Sequence, residues 1–383
     1  KGGTAVQIVD GVRYKRDPMP KESAMAIIDY LKQAADVDVD DRRKLQRARF
    51  GVRMETANVV IDLTTSGSSQ ALVLRLDFDR DAQLKHDFAD LGFVKSQTEF
   101  LEAFHETKGR HGVILIASAP GQGLTSTLYG LLTAHDAYTT NIKTLERDIQ
   151  RQIEGVDHAE FDPNRPEMDF PTQIRSIMRR GPDIVMVSDL QDPATATILA
   201  KGGSDGPLLL VGVPTKDGIA GAITEWFRGV GDLKDAASPL KAVLTGRVIR
   251  KLCPECRQPF TPSAEDLKKL GIPAGKQVEL YRASGHVQVK NKVEECPVCR
   301  GTGFFGTTGV FEVMQVDRES RKMLAGGDLR GAHVYARRTL RMLSMQEAAL
   351  LKAREGITSL DEVGRVFAPK KTATKKPAPA ATS

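Results

Sequence analysis

Hydrophobic and polar positions alternate in two different textures along the chain. In Lys21-Glu22-Ser23-Ala24-Met25-Ala26-Ile27-Ile28-Asp29-Tyr30-Leu31-Lys32 the apolar groups recur at the spacing of one helix face, which predicts an amphipathic helix over residues 20–36. A charged run, Asp38 to Lys44, then leads to three strand-like segments, Arg49–Met54, Asn58–Leu63 and Ala71–Leu76, with Ser66–Ser69 as the turn between the last two. One helix and a few strands predict a small α+β region spanning 1–108. From Arg110 the pattern changes to short apolar runs separated by helical stretches. Strands are expected at 113–117, ending at Lys143–Glu146, at Asp183–Asp189 and at Pro207–Val213, the last preceded by the glycine-rich stretch Gly202–Gly206. Such alternation predicts an α/β domain with a parallel sheet and crossover connections, here over 109–368. Near its end, Gly301–Glu312 reads as a glycine-rich turn into a strand. Arg318–Val366 reads as helical, with core faces from Leu340–Leu343 and Glu347–Leu351.

Composition adds bounds. A chain of 383 residues fits two or three domains, and no apolar run approaches the roughly 18 residues of a membrane helix. No charged start with an apolar centre marks a signal peptide, so a cytoplasmic location is the default expectation, although the first residue is Lys1 and not Met. The net charge is +6, and Lys370, Lys371, Lys375 and Lys376 contribute to it from a Pro-, Ala- and Thr-rich tail, 369–383, that has too few large apolar groups to fold. Four lysines give only weak, salt-sensitive attraction, so no specific nucleic-acid partner is expected.

The candidate chemistry starts at Ser118-Ala119-Pro120-Gly121-Gln122-Gly123-Leu124-Thr125-Ser126-Thr127, between a predicted strand and a predicted helix. Glycines there let successive backbone N–H groups point inward, and the helix N-terminus adds positive dipole, the layout of a phosphate-binding loop. Aligned with G-x-x-x-x-G-K-[ST], the first glycine falls on Ser118, the second on Gly123, the lysine on Leu124 and the hydroxyl on Thr125. The loop therefore lacks its cation. Gly121, Glu146 and Asp189 all fall at the carboxyl ends of predicted strands, where open parallel sheets bind ligands. Asp189, at the end of an apolar strand beyond such a loop, is placed to hold magnesium or to orient an attacking water. Its competing role is to cap the helix that begins near Pro193.

All four cysteines lie in two identical C-x-x-C units, Cys253-Pro254-Glu255-Cys256 and Cys296-Pro297-Val298-Cys299. Two such knuckles predict a structural zinc site of four thiolates, with two redox-active pairs as the alternative. About forty residues separate the knuckles, which predicts an insertion near Ser263–Leu280.

In this order the features resemble the motor ATPases of type II secretion and type IV pilus assembly. The resemblance rests on Ala119–Tyr129, on Ile174–Asp192, on Arg250–Cys256 and on Cys296–Met314, and spans roughly 20–366. It implies an N-terminal α/β lobe and a RecA-like lobe with a zinc subdomain, about 250–312. It further implies a hexameric ring, homo- or hetero-oligomeric, that binds ATP and magnesium and drives inner-membrane platform proteins from the cytoplasmic side.

The same resemblance exposes departures. Besides Leu124, the acidic stretch reads Leu145-Glu146-Arg147-Asp148 and keeps only the glutamate. The Walker B glutamate becomes Asp189, preceded by Ser188 in place of glycine and followed by Gln191 in place of arginine. Both histidines of the histidine segment become prolines, Pro207 and Pro214, and of two N-lobe arginines only Arg75 has a counterpart. The residues carried over to catalysis are thus Asp189, Glu146 and Arg75, and Ser118–Ser126 to nucleotide binding. Three readings stay open. The chain is a degenerate motor subunit with weak nucleotide binding and little hydrolysis; or a working ATPase in which Arg110, Lys143 or Arg147 supplies the missing charge; or a zinc-stabilised scaffold module docked on the secretion platform.

Overall fold

A computed structural model describes residues 2–53, 58–68, 71–78, 87–165, 168–190, 192–269 and 279–368. Gln191, the basic tail and part of the predicted insertion lie outside these. The chain divides into two compact units, 1–85 and 86–383. Residues 86–108, grouped with the first region by the strand pattern, belong to the second, because Leu91, Leu101 and Phe104 bury themselves in its core.

The first unit contains a hairpin of β1 (Val6–Val9) and β2 (Val12–Lys15), helix α1 (Lys21–Ala34), and an antiparallel sheet of β3 (Gln46–Arg53), β4 (Asn58–Gly67) and β5 (Leu72–Phe78). The hairpin is absent from the sequence reading, since Val6–Val9 is almost wholly exposed and shows no in–out alternation. Helix α1 ends in a clip: the buried Lys32 Nζ donates to the carbonyls of Asp38 and Asp41 at 2.9 and 2.6 Å. That accommodates a charge at a depth where it would otherwise be costly.

In the second unit α2 (Lys95–Glu102) precedes β6 (Gly112–Ser118), α3 (Leu124–Leu132), β7 (Ile142–Glu146), β8 (Asp157–Glu160), α4 (Phe170–Arg179) and β9 (Ile184–Val187). Then come α5 (Pro193–Asp205), β10 (Leu208–Pro214), α6 (Gly218–Val230), α7 (Leu233–Ala237) and the long β11 (Leu240–Leu252). A small excursion follows: β12 (Gln258–Phe260), α8 (Ala264–Lys269), β13 (Leu280–Arg282), β14 (His286–Val289) and β15 (Lys292–Glu295). The chain returns along β16 (Phe304–Gln315) and finishes in α9 (Arg318–Ala325), α10 (Leu329–Arg338), α11 (Met345–Arg354) and α12 (Leu360–Phe367).

Seven strands form one sheet in the order β16-β11-β6-β10-β9-β7-β8, parallel except for the edge pair β11–β16. Both faces are covered. Along β6, Val113, Leu115 and Ala117 enter one core and Ile114 and Ile116 the other, and β9 and β10 alternate in the same way. A strand buried on both sides reads as a continuous apolar run, which is why β6, β9 and β10 are legible from sequence. Two glycines of the Gly202–Gly206 stretch serve packing. Gly202 and Gly203 lie inside α5, where a Cβ would stand 2.4 Å from Met178 Cε and 2.7 Å from Val113 Cγ2. There glycine serves close approach of helix to sheet and not a turn.

Strand β11 is locked to α12 by a buried ion pair. Glu362 accepts from Arg250 Nη2 at 2.7 Å, from the Arg250 N–H at 3.1 Å and from Arg365 Nε at 2.7 Å, and Arg250 also lies 3.7 Å over the Phe304 ring. Burial alone would raise the Glu362 carboxyl, but hydrogen bonds from Arg365 and Arg250 outweigh it and hold it from 4.5 down to about 2. A carboxyl depressed in the folded state stabilises above its unfolded value and loses that contribution as pH falls through the folded one, here about 3 kcal/mol between pH 5 and 2. Thermal unfolding of Glu362→Gln is therefore expected to depend less steeply on pH over that window than wild type. Parallel curves would contradict the assignment.

Candidate functional site

A cavity of about 240 Å³ opens at the carboxyl ends of β7, β9 and β10, bordered by Leu124 and Thr125 of α3, by Glu146, Arg147 and Asp148 after β7, by Ser188 and Asp189 after β9, and by Pro214. This is where the sequence places it, and every lining residue comes from the second unit.

The glycine loop joins β6 to α3, the strand–loop–helix order that the sequence predicts. Ser118 is buried at the end of β6 and donates to the Gly246 carbonyl at 3.2 Å; the Ala119 carbonyl accepts from the Gln122 N–H at 3.0 Å, closing a turn across Pro120. Gln122 Oε1 accepts from the Val248 N–H at 3.3 Å. Gly121 and Gly123 have φ of 73° and 86°, in the left-handed region that glycine enters without strain. Gly123 then becomes the cap from which α3 starts, with Leu124, Thr125 and Ser126 in its first turn. That turn carries no acidic residue. Its free N–H groups and dipole suit an anion. At the position of the expected lysine, Leu124 turns an apolar, half-buried side chain to the cavity.

The two carboxylates proposed for catalysis are already engaged. Asp189 Oδ2 pairs with Arg147 Nε at 2.7 Å, while its Oδ1 is buried and has no partner among the described residues. The competing role for Asp189 as a helix cap falls to Asp192 instead, whose carboxylate accepts from the Thr195 N–H at 2.8 Å. Glu146, 1% exposed, accepts from Tyr129 Oη at 2.5 Å, from Thr144 Oγ1 at 2.7 Å and from His158 Nδ1 at 2.9 Å. The His158 tautomer follows from its other side: Nε2 accepts the Ile153 N–H at 3.1 Å, so in the neutral ring the proton sits on Nδ1 and points at Glu146. Burial, then the bond to Glu146, push the Tyr129 hydroxyl well above an ordinary tyrosine. This buried cluster was invisible in sequence. His158 lies on the short edge strand β8, in Asp157-His158-Ala159-Glu160, which carries no motif.

Of the three cations considered as replacements for the missing lysine, one borders the cavity. Arg110 donates to Thr140 Oγ1 at 3.0 Å and to the His105 carbonyl at 2.8 Å, and Lys143 to Asp157 at 2.7 Å. Arg147 stands in the cavity, held at its backbone by an N–H donated to Ser188 Oγ at 3.3 Å. Pro214 borders the cavity, whereas Pro207 precedes β10 at the other end of the strand. In the first unit Arg75 sits on β5, 2.7 Å from Asp77. For magnesium the two carboxylates are a poor donor pair. Glu146 has its oxygens committed to three protein donors, and an ion on Asp189 would stand beside the Arg147 guanidinium and be repelled by it.

A second cluster fits a metal well. The Sγ atoms of Cys253, Cys256, Cys296 and Cys299 are buried and lie within 4.8 Å of one another, with Cys253–Cys296 at 3.8 Å and Cys256–Cys299 at 3.5 Å. Tetrahedral zinc with thiolates at about 2.3 Å has S–S edges of about 3.8 Å. Four converging thiols are what such an ion requires. The Gly303 N–H donates to Cys299 Sγ at 3.2 Å, and the turn that aims it uses Arg300, Gly301 and Gly303 at φ of 49°, 76° and 73°. Among the described residues no helix is long and apolar enough to cross a membrane.

Comparison with known proteins agrees with this architecture. The family model for Type II/IV secretion system protein matches residues 8–365. The Type II secretion system ATPase E of Vibrio cholerae is 31% identical over 365 residues, covering 94% of this chain and 68% of that one. Among solved structures, the ATPase DotB of Yersinia pseudotuberculosis superposes with a TM-score of 0.60 at 12% identity, covering 96% of this chain and 88% of that one. The pilus retraction motor PilT with bound ADP gives 0.51 at 12% identity, covering 97% and 92%. At that identity the two structures speak for the fold, a mostly parallel α/β sheet. With the family model matching residues 8–365, the chain belongs to the Type II/IV secretion system protein family, with the type II secretion ATPases among its relatives.

Proposed function

We propose that this chain is a degenerate motor subunit of a type II secretion or type IV pilus assembly system, holding nucleotide weakly and hydrolysing little. The observation that carries this reading is the Arg147–Asp189 bridge beside Leu124. Phosphoryl transfer needs cations aimed at the phosphates and a carboxylate free to organise metal and water. Among the described residues, the one cation lining the cavity is spent on that carboxylate, and the lining otherwise carries Glu146 and Asp148. What remains for a phosphate is the backbone of the loop, the N-terminus of α3 and Thr125.

In this reading the subunit joins a hexameric ring, homo- or hetero-oligomeric, at the cytoplasmic side of inner-membrane platform proteins, with zinc on the four cysteines as a structural staple. Arg75 would act as an arginine of the N-terminal lobe in such a ring. A second reading, a working ATPase, has one observation in its favour: Arg147 is a cation in the right cavity. The two are separated by steady-state hydrolysis of Mg-ATP by the purified chain. Little turnover is expected, and steady turnover that Asp189→Asn abolishes would establish the second reading in place of the first.

A further inference from the structure

We propose that Arg147 takes the place of a divalent cation at Asp189, so that the pocket selects nucleotide without magnesium. This rests on the reading of the cavity as a nucleotide site and deepens it. Arg147 follows the last residue of β7 and Asp189 lies just beyond β9, and these strands are neighbours in the sheet. Two contacts hold them together: the Arg147 N–H donates to Ser188 Oγ at 3.3 Å, and its Nε lies 2.7 Å from Asp189 Oδ2. The backbone of Arg147 is thereby anchored to the residue before Asp189, which keeps its side chain within reach of that carboxylate.

The rest of the cavity offers a hard cation only partial support. Glu146 is engaged by Tyr129, Thr144 and His158, and Asp148 accepts from Gln150 Nε2 on one oxygen, which leaves its other oxygen and the Thr125 hydroxyl to complete a site only if Asp189 is released. Asp189 Oδ1 remains, but a divalent ion there would share the carboxylate with the Arg147 guanidinium and be repelled by it. Arg147 is thus a specificity-determining residue: it neutralises the carboxylate that magnesium would otherwise need, and it excludes the metal form of the ligand.

The test uses the full chain and two readouts. Mn²⁺, a paramagnetic probe of oxygen-ligand sites, is titrated against nucleotide-free protein and followed by its EPR signal. Arg147→Ala is expected to take up one more Mn²⁺ than wild type, and Arg147→Ala/Asp189→Asn is expected to lose it again. Because the Arg147 side chain is 60% exposed, the substitution leaves the fold intact. ATP is then titrated calorimetrically with EDTA or with excess magnesium, using Leu124→Lys as background so that binding is strong enough to measure. On that background affinity should agree within about threefold in the two conditions, whereas adding Arg147→Ala should make magnesium tighten it by about tenfold or more. Equal Mn²⁺ uptake by wild type and Arg147→Ala overturns the proposal, as does a tenfold magnesium effect with Arg147 in place. Absence of ATP binding by both wild type and Leu124→Lys instead refutes the nucleotide site itself, while the Mn²⁺ result still decides the role of Arg147.

Discussion

Leu124→Lys is expected to tighten ATP binding by roughly ten- to over a hundredfold. The position is the first residue of α3, directly after Gly123 in its left-handed conformation, and its side chain already borders the cavity. A lysine there would place an ammonium beside the backbone N–H groups of the loop. A charge-assisted hydrogen bond contributes about 1.5–3 kcal/mol, and each 1.4 kcal/mol is a factor of ten in affinity. Nothing in the cavity has to be displaced for this gain, because the loop turns and the start of the helix are built without the lysine. The loss of an apolar side chain that packs only partly against the Leu91–Leu128 core is small by comparison. Calorimetric titration of wild type and variant, with unfolding curves as a control, reads the effect. A change of less than about threefold would mean that phosphate does not sit on this loop, and would remove the basis for treating the cavity as a nucleotide site.

The other large effect is expected at the four cysteines. Metal analysis of freshly purified protein should return one zinc per chain, and Cys296→Ser should lose it. Structural zinc contributes on the order of 10–16 kcal/mol in small zinc domains at neutral pH, more than any single core side chain. The consequence should be local. Strands β11 and β16 pair as far as Leu252 and Phe304, directly next to the knuckles, while β12 to β15 form two separate two-stranded sheets with little core of their own. In Cys296→Ser, hydrogen exchange should therefore rise across 253–303 and stay low in β6, β9 and β10, whose side chains are buried on both faces. Protein free of zinc with unchanged exchange would show that the thiols pack without metal.

Much of this molecule can be read from its sequence, and the limits are physical. Strands β6, β9 and β10 are legible because burial on both faces demands continuous apolar runs; α1 because its apolar groups repeat at helical spacing; the knuckles because each pairs two cysteines three positions apart, a spacing that suits one metal ion. Strand β11 is not, because it mixes Lys241, Arg247 and Arg250 into its run, and what makes the buried Arg250 tolerable, Glu362 and the Phe304 ring, comes from distant segments. The role of the glycines in α5 is hidden for a related reason: only the neighbouring Met178 and Val113 show that they are spacers.

By itself the sequence determined where the strands β6, β7, β9 and β10 lie along the chain, the phosphate-type loop with leucine in place of its lysine, and the pairing of four cysteines into two knuckles. These are local properties, set by periodicity and by spacing along the chain. Only the tertiary structure decided that Arg147, and neither Arg110 nor Lys143, reaches the cavity, and that it is spent on Asp189. It also decided that Glu146 is sealed by Tyr129, Thr144 and His158. Which partner satisfies a charge depends on which strands lie side by side and which ends they share, and no spacing along the chain encodes that.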